Sequence, residues 1–440
     1  MSKIGFISLG CPKNLLDTEV MLGHLAMEGY EITPDETEAD IIVINTCAFI
    51  ESAKRESIDN ILDIAWLKEN KSLKGIVVTG CLSERYRDEI LKEFGEVDAV
   101  LGTGSVHSIV KAVREIEKGN RYSEYLDKNK VDLGGDRIIT TGDAFAYLKI
   151  SEGCDNVCTY CAIPKIRGRF RSRPMDELIK EAKEIDEMGI PELIVIGQDT
   201  TAYGIDLYGK YELHTLLNRL AKETKNIKWL RILYCYPDKI TPELIEEFKT
   251  NPKLVKYIDL PIQHINSRIL KKMNRKGDKE LVSSVVKELR KIEGMSIRST
   301  AIVGFPTETE EEFTELCEFI KEAKFDNFGA FTYSREEGTA AYNFEGQIDE
   351  QVKQDRYDII MREQLYITEE NQKNQIGKTV TVLCEGFDPV AESYYGRTYA
   401  NAPDIDGKVF FFSGKKHNIG DFVDVEIMDA YDYDLSGKSV

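Results

Sequence analysis

Apolar residues in the first 118 positions fall into short blocks, IGFISL, DIIVIN, GIVVTG and VDAVLG, separated by stretches of helical spacing at 17–28, 50–68, 83–93 and 105–117. Strands that alternate with amphipathic helices predict a parallel, doubly wound sheet. The alternation returns from 144 to about 340, where AYLKI, LIVIG, WLRILY, KYIDL, IRSTAIV and FGAFTY are strand candidates and 174–188, 278–292 and 308–323 carry helical periodicity. Six such units predict a partial (β/α)6 barrel. After Gly377 the blocks shorten to TVTVLCEGF, YYGRTYA, GKVFFF and DFVDVEIMDAYDYD. Closely spaced strands broken by Gly, Pro, Asn and Asp read as a small OB-like β-barrel. A charged connector with Gly134 and Gly135 as breakers, and a charged helical spacer near 351–375, separate the three parts. The expected division is 1–118, 119–143, 144–350, 351–375 and 376–440.

A chain of 440 residues is too long for one ordinary core, and its 42% hydrophobic content is that of a globular protein. No apolar run approaches the roughly 18 residues needed to span a bilayer. The start, MSKIGFISLGCPKN, has neither a long apolar segment nor a small-residue cleavage site, so a cytoplasmic location is expected. Nine cysteines, an odd number, in such a chain point to a reducing compartment and metal ligation rather than a disulfide scaffold.

Three of those cysteines, Cys154, Cys158 and Cys161, stand in GCDNVCTYC directly after the strand AYLKI. A structural zinc site would show paired C-x-x-C spacings or a nearby fourth ligand, and the next histidine, His214, is far along the chain. Three thiolates instead suit a four-iron cluster that keeps one iron open to an outside molecule. S-Adenosylmethionine uses such an iron, and electron injection then splits its sulfonium to a deoxyadenosyl radical. Tyr160, just before the third cysteine, resembles the position that backs the adenine in radical S-adenosylmethionine enzymes, and reads equally as packing in a turn. A second triplet, Cys11, Cys47 and Cys81, recurs at the ends of three strands of the first sheet, in SLGCPKN, INTCAFI and VTGCLSE. Ligand crevices of open α/β sheets lie at the carboxyl ends of the strands, so these three loops are expected to meet around a second cluster. Cys235, Cys317 and Cys384 read as core residues.

In a barrel, the loops after the strands line the active site. They contribute Gln198 and Asp199, Gln263 and His264, and Gly304 and Pro306, of which Gln198, Asp199, Gln263, Gly304 and Pro306 are candidate cofactor contacts. Asp199 also reads as a helix cap, Gly304 and Pro306 as a strand-to-helix turn, and His264 as a satisfied histidine without acid–base work. The terminal segment carries six Lys and Arg against eleven Asp and Glu, a net of −5 within a chain of −19. Such a module repels phosphate backbones and suits a basic partner, with Asp424, Glu426 and Asp429 as candidate partner-binding residues.

Two cysteine triplets, a barrel with an S-adenosylmethionine loop and a terminal TRAM-like barrel together resemble the radical S-adenosylmethionine methylthiotransferase family. SLGCPKN around Cys11 and CTYCAIPKIRGRFRSRP from Cys158 to Pro174 are similar to the branch that modifies a ribosomal protein. The resemblance implies attachment of a methylthio group to the β-carbon of an aspartate in a small-subunit ribosomal protein. It also implies two [4Fe-4S] clusters, S-adenosylmethionine as both methyl donor and radical source, and a reducing partner such as flavodoxin or ferredoxin. The barrel mouth is then expected to face the first domain, with substrate between them. Two other readings stay open. One is a tRNA methylthiotransferase acting on a modified adenosine, for which the basic RGRFRSRP stretch speaks and the acidic terminal barrel does not. The other is a noncatalytic iron-sulfur electron carrier.

Overall fold

The computed structural model describes residues 2–70 and 73–440, which form two compact units. The first comprises Met1–Thr140, Ser151–Arg173 and Glu336–Tyr342; the second comprises Thr141–Ile150, Pro174–Arg335 and Asn343–Val440. The units therefore follow packing rather than chain order. The segment carrying Cys154, Cys158 and Cys161 belongs to the same unit as Cys11, Cys47 and Cys81.

The first unit is built on a six-stranded parallel sheet of β1 (Lys3–Ser8), β2 (Glu31–Thr33), β3 (Ile41–Thr46), β4 (Gly75–Gly80), β5 (Ala99–Leu101) and β6 (Tyr122–Glu124), in the order β2-β1-β3-β4-β5-β6. Side chains alternate across a strand, and here both faces are apolar. Ile42 and Ile44 join a core with Ile61 and Ile64 of helix α2 (Glu51–Asn70). Ile41 and Val43 join the opposite core with Met21 and Leu25 of helix α1 (Pro12–Met27). This is the doubly wound arrangement the alternation predicts. Two short strands, β2 and β6, lack a recognisable apolar block, and β6 draws the start of the connector into the sheet.

The second unit holds six parallel strands, Phe145–Lys149, Glu192–Ile196, Trp229–Ile232, Leu254–Asp259, Ser296–Val303 and Asn327–Thr332, paired in chain order. Its terminal part is a closed barrel of five strands, Thr379–Asp388, Ser393–Arg397, Val409–Phe412, Phe422–Tyr431 and Asp434–Ser439. The final pattern, 421–434, reads as the last strand, yet the chain adds another after it, Asp434–Ser439. Asp432, with a φ of 42°, turns the chain back so that Tyr431 pairs with Asp434. The helix Glu350–Lys373 is more than a spacer, because Ile360, Gln364 and Ile367 are buried and Gln364 donates to the Phe325 carbonyl at 2.9 Å.

A buried ionic network fastens the terminal barrel to the sheet of the same unit. Glu192 accepts from Arg231 at 2.6 Å and from Arg397 of the terminal barrel at 2.7 Å, with all three side chains fully buried. Burial alone pushes the Glu192 carboxyl up, but the two guanidiniums outweigh it and hold the group below its ordinary range. Asp406 repeats the device, accepting from Tyr257 at 2.7 Å and Arg298 at 3.3 Å. Among the described residues no helix is long and apolar enough to cross a membrane.

Candidate functional site

Cys11, Cys47 and Cys81 follow the carboxyl ends of β1, β3 and β4, and their thiols lie within reach of one another's charge. Local sequence brings them there. Cys11 stands just ahead of α1, whose first residue is Pro12, the preferred place for a residue without an N–H. Gly10 is in the left-handed region at φ 88°, and a Cβ on it would stand 2.7 Å from the Cys47 Cβ and 2.9 Å from its Sγ. Gly80 at φ 95° likewise lets β4 pass Asn45 and Thr46 closely before Cys81 opens the short helix α3 (Cys81–Tyr86). Ser57 of α2 grips the Cys47 backbone twice, accepting its N–H at 3.0 Å and donating to its carbonyl at 2.8 Å.

One side chain that the sequence reading passed over touches all three loops. Asn14 donates its amide to the carbonyls of Leu9 and Thr46 at 3.0 and 2.8 Å, while its Oδ1 faces Cys81 Sγ at 3.6 Å. Those two donations fix which way the carboxamide points. Burial pushes the Cys81 thiol up to about 12 and raises that of Cys47 as well. Burial thus disfavours the thiolate forms of Cys47 and Cys81, and a bound soft cation or cluster would stabilise them.

Cys154 and Cys158 are buried and Cys161 partly so. Their loop is closed at its base, where the Cys154 N–H donates to the Gly168 carbonyl at 3.2 Å and a Cβ on Gly153 would meet the Arg169 carbonyl oxygen at 2.1 Å. The Asn156 and Ile163 N–H groups point at the sulfurs of Cys154 and Cys161 at 3.4 and 3.5 Å. Donors of this kind favour the thiolate and tune a bound cluster. Among the described residues no disulfide is formed, and no group of three or more His, Cys, Asp or Glu side chains is placed to hold a metal ion. Two sets of three soft thiols, one with N–H donors aimed at sulfur, are a donor set that fits iron-sulfur clusters.

The segment after Cys161 docks into the same unit. Ala162 and Ile166 are part of the core that contains Cys81, Leu82 and Ala48, and the Ile166 carbonyl accepts from Thr103 at 2.7 Å. The basic RGRFRSRP stretch is largely consumed within the fold. Arg167 pairs with Asp17 at 2.5 Å, Arg171 donates to the carbonyls of Val131 and Lys128, and Arg173 is buried. Arg169, 79% exposed, is the one displayed to solvent. A second strap comes from Glu336, which accepts from Lys54 at 3.2 Å and Arg85 at 2.9 Å, while Ala341 donates to the Thr159 carbonyl at 2.8 Å. Asn14, Arg167 and Glu336 were not singled out from sequence. Only Asn14 and Arg167 carried a signal, since both lie inside the motifs that hold the cysteines.

In the second unit the strand-end residues are placed as follows. Asp199 is buried and saturated, accepting from Ala202 N–H, Thr201 hydroxyl and Lys239 at 2.7 Å, which is the cap role. Gln263 has a φ of 67° and extends the sheet through its backbone, donating to Thr300 and accepting from Ile302, both at 2.8 Å. Gly304 at φ 72° and the buried Pro306 shape a turn whose N–H groups are collected by Glu308, itself paired with Arg356 at 2.9 Å. His264 is fully buried, accepts from the Asn266 N–H at 2.9 Å, and is held neutral by burial with a pKa of about 4. Gln198 is half-buried, as is Tyr160 in the first unit. Cys235, Cys317 and Cys384 are buried core thiols. Asp424 and Glu426 point outward from one face of their strand, with Asp424 accepting from Thr381 at 2.8 Å, and Asp429 accepts from the Tyr431 hydroxyl at 2.9 Å.

Three family models match the chain: Uncharacterized protein family UPF0004 over residues 3–102, the Radical SAM superfamily over 148–320 and the TRAM domain over 376–440. A ribosomal protein uS12 methylthiotransferase RimO of Thermoanaerobacter sp. (strain X514) is 50% identical over 439 residues, covering 100% of both chains. The protein of the same name from Caldanaerobacter subterraneus subsp. tengcongensis is 51% identical with the same coverage. Among solved structures, the radical S-adenosylmethionine methyltransferase TsrM from Kitasatospora setae shares the fold, with a TM-score of 0.56, 13% identity, and coverage of 75% of this chain and 74% of that one.

Proposed function

Because the chain belongs to the RimO family of ribosomal protein uS12 methylthiotransferases, within the radical S-adenosylmethionine superfamily, we propose that it attaches a methylthio group to the β-carbon of an aspartate in uS12. The observation that carries the reading is the gathering of two thiol triplets, Cys11, Cys47 and Cys81 with Cys154, Cys158 and Cys161, on one folded unit. A methylene carbon has no leaving group and no usefully acidic proton, so carbon–sulfur bond formation there starts with removal of a hydrogen atom. S-Adenosylmethionine on an iron-sulfur cluster supplies that radical chemistry when bound.

In this reading Cys154, Cys158 and Cys161 would hold a [4Fe-4S] cluster that would bind S-adenosylmethionine and supply the radical chemistry. Cys11, Cys47 and Cys81 would hold a second cluster, which would supply the sulfur for transfer. The protein buries two thiols of each set, Cys154 and Cys158 in the first and Cys47 and Cys81 in the second, and the Asn156 and Ile163 N–H groups would offset the charge of the first. Tyr160, Gln198, Gln263, Gly304 and Pro306 are the candidate nucleoside contacts. Asp199, saturated within the protein, supports Lys239 and its own loop. Fully reconstituted protein is expected to bind roughly eight irons, four per cluster. Alanine at all three cysteines of either triplet is expected to leave about half. Four irons in the unaltered chain would remove the second cluster.

The partner side of the reading rests on charge. Asp424 and Glu426 share an exposed face of a net acidic barrel, and a ribosomal protein is basic because it neutralises RNA. The arginines of RGRFRSRP are mostly turned inward, which leaves little for a tRNA backbone to meet. Reversing Asp424, Glu426 and Asp429 to Lys is expected to weaken uS12 binding, more at low salt than at high salt. Unmodified protein that titrates tRNA more tightly than uS12 would overturn the assignment. A flavodoxin or ferredoxin in the cytoplasm, where ribosomes are assembled, is the proposed electron source.

A further inference from the structure

We infer that Arg167 is a positioning residue for the N-terminal thiol site: inserted from the segment that carries Cys154, Cys158 and Cys161, its guanidinium stands against Cys81 and sets the reduction potential of the cluster held there. The inference rests on the reading that Cys11, Cys47 and Cys81 hold a cluster.

Arg167 closes the short helix Ile163–Arg167 and is 3% exposed. Its helix cannot slide, because Ala162 and Ile166 are packed into the core beside Cys81 and Leu82. The guanidinium divides its two ends. Nη1 meets Asp17 at 2.5 Å and Glu152 at 3.6 Å. Nη2 donates to Asn14 Oδ1 and lies 3.7 Å from Cys81 Sγ. An arginine serving Asp17 alone would turn both nitrogens onto that carboxylate in the strong bidentate geometry. This one gives half of its fork to the Asn14–Cys81 pair. Asn14 is in turn anchored on the loops that precede Cys11 and Cys47, so the cation is registered against all three thiol loops through one amide.

A permanent cation in a buried pocket acts with little solvent screening. Reduction of a cluster adds one negative charge, and a neighbouring guanidinium stabilises that charge, so it raises the potential. Lysine keeps the charge and loses the fork; methionine keeps the volume and loses both.

The test uses protein in which Cys154, Cys158 and Cys161 are all alanine, so that after reconstitution any cluster present is the N-terminal one. Redox titration followed by electron paramagnetic resonance then compares Arg167, R167K and R167M. R167M is expected to make reduction about tenfold harder, a downward shift of about 59 mV for one electron, with R167K in between. In the complementary protein, with Cys11, Cys47 and Cys81 as alanine, R167M is expected to shift the remaining cluster far less. Should R167M alone fail to fold, R167Q, which drops the charge and keeps a hydrogen-bonding end, is expected to show the same selective shift. An unchanged potential, or equal shifts in the two proteins, would overturn the inference while leaving the cluster in place. No iron in the first protein would instead overturn the cluster reading on which it rests.

Discussion

Cys158→Ala should yield neither deoxyadenosine nor methylthiolated uS12, whereas Cys47→Ala should still release deoxyadenosine with dithionite and make no methylthio product. The difference follows from the chemistry assigned to the two triplets. Cys158 belongs to the loop proposed to present an open iron to S-adenosylmethionine, and without it the sulfonium is not cleaved. Cys47 belongs to the site proposed for the sulfur, so its loss leaves a radical with no partner to capture. The Cys47 loop should survive the substitution, because Ser57 holds its backbone N–H and carbonyl and neither bond involves the thiol. Deoxyadenosine is read by chromatography and the modification by a mass shift in uS12. A Cys47 variant that forms product at the normal rate would end the sulfur-carrier role.

The cysteines were readable because their surroundings repeat: a short, largely apolar strand, then a cysteine at or a few residues past its carboxyl end. The sheet was readable for the same reason, since Ile41 to Ile44 alternate between two apolar faces and leave no other way to be buried. Arg167 was not, because a basic stretch looks the same along the chain whether it faces solvent or a buried carboxylate. Only the fold shows that Asp17, far away in sequence, is its partner. Asp199 and Glu308 illustrate a related limit. Both sit where strand-end loops should carry chemistry, and both use their oxygens on neighbouring N–H groups, lysine or arginine. The second strand of the final hairpin escaped notice because its turn is an Asp with positive φ rather than a glycine.

Glu192→Ala should be the most destabilising single change in the second unit. It leaves the guanidiniums of Arg231 and Arg397 buried at 0% side-chain exposure with their shared carboxylate gone. Arg397 keeps Glu385 at 2.7 Å, whereas Arg231 keeps a carbonyl, that of Tyr399, at 2.9 Å. Breaking a buried ion pair from one side typically costs about 3–5 kcal/mol. The loss should appear as a lower denaturant midpoint in urea, followed through Trp229, whose ring packs 4.9 Å from Phe422 of the terminal barrel. Replacing Glu192, Arg231, Arg397 and Glu385 together by Met, Leu, Met and Gln should cost much less, because no member of the network is then left as an orphaned charge. An unfolding free energy for Glu192→Ala within about 0.5 kcal/mol of the unaltered protein would show that water reaches the network.

The interleaving of the first unit has a consequence for how the chain is made. Its sheet is complete once residue 124 has left the ribosome, but the unit also needs Ser151–Arg173 and Glu336–Tyr342. Translation proceeds at about 5–20 residues per second, so the nascent chain waits roughly 15–50 s between the emergence of Cys81 and that of the last strap. Throughout that interval Lys54 and Arg85 lack Glu336, and for the first part of it Asn14 and Cys81 lack Arg167. The thiols of a half-made molecule are thus more open to oxidants, and to iron, than those of a finished one. The order of synthesis sets a period in which the pocket can be filled before it closes.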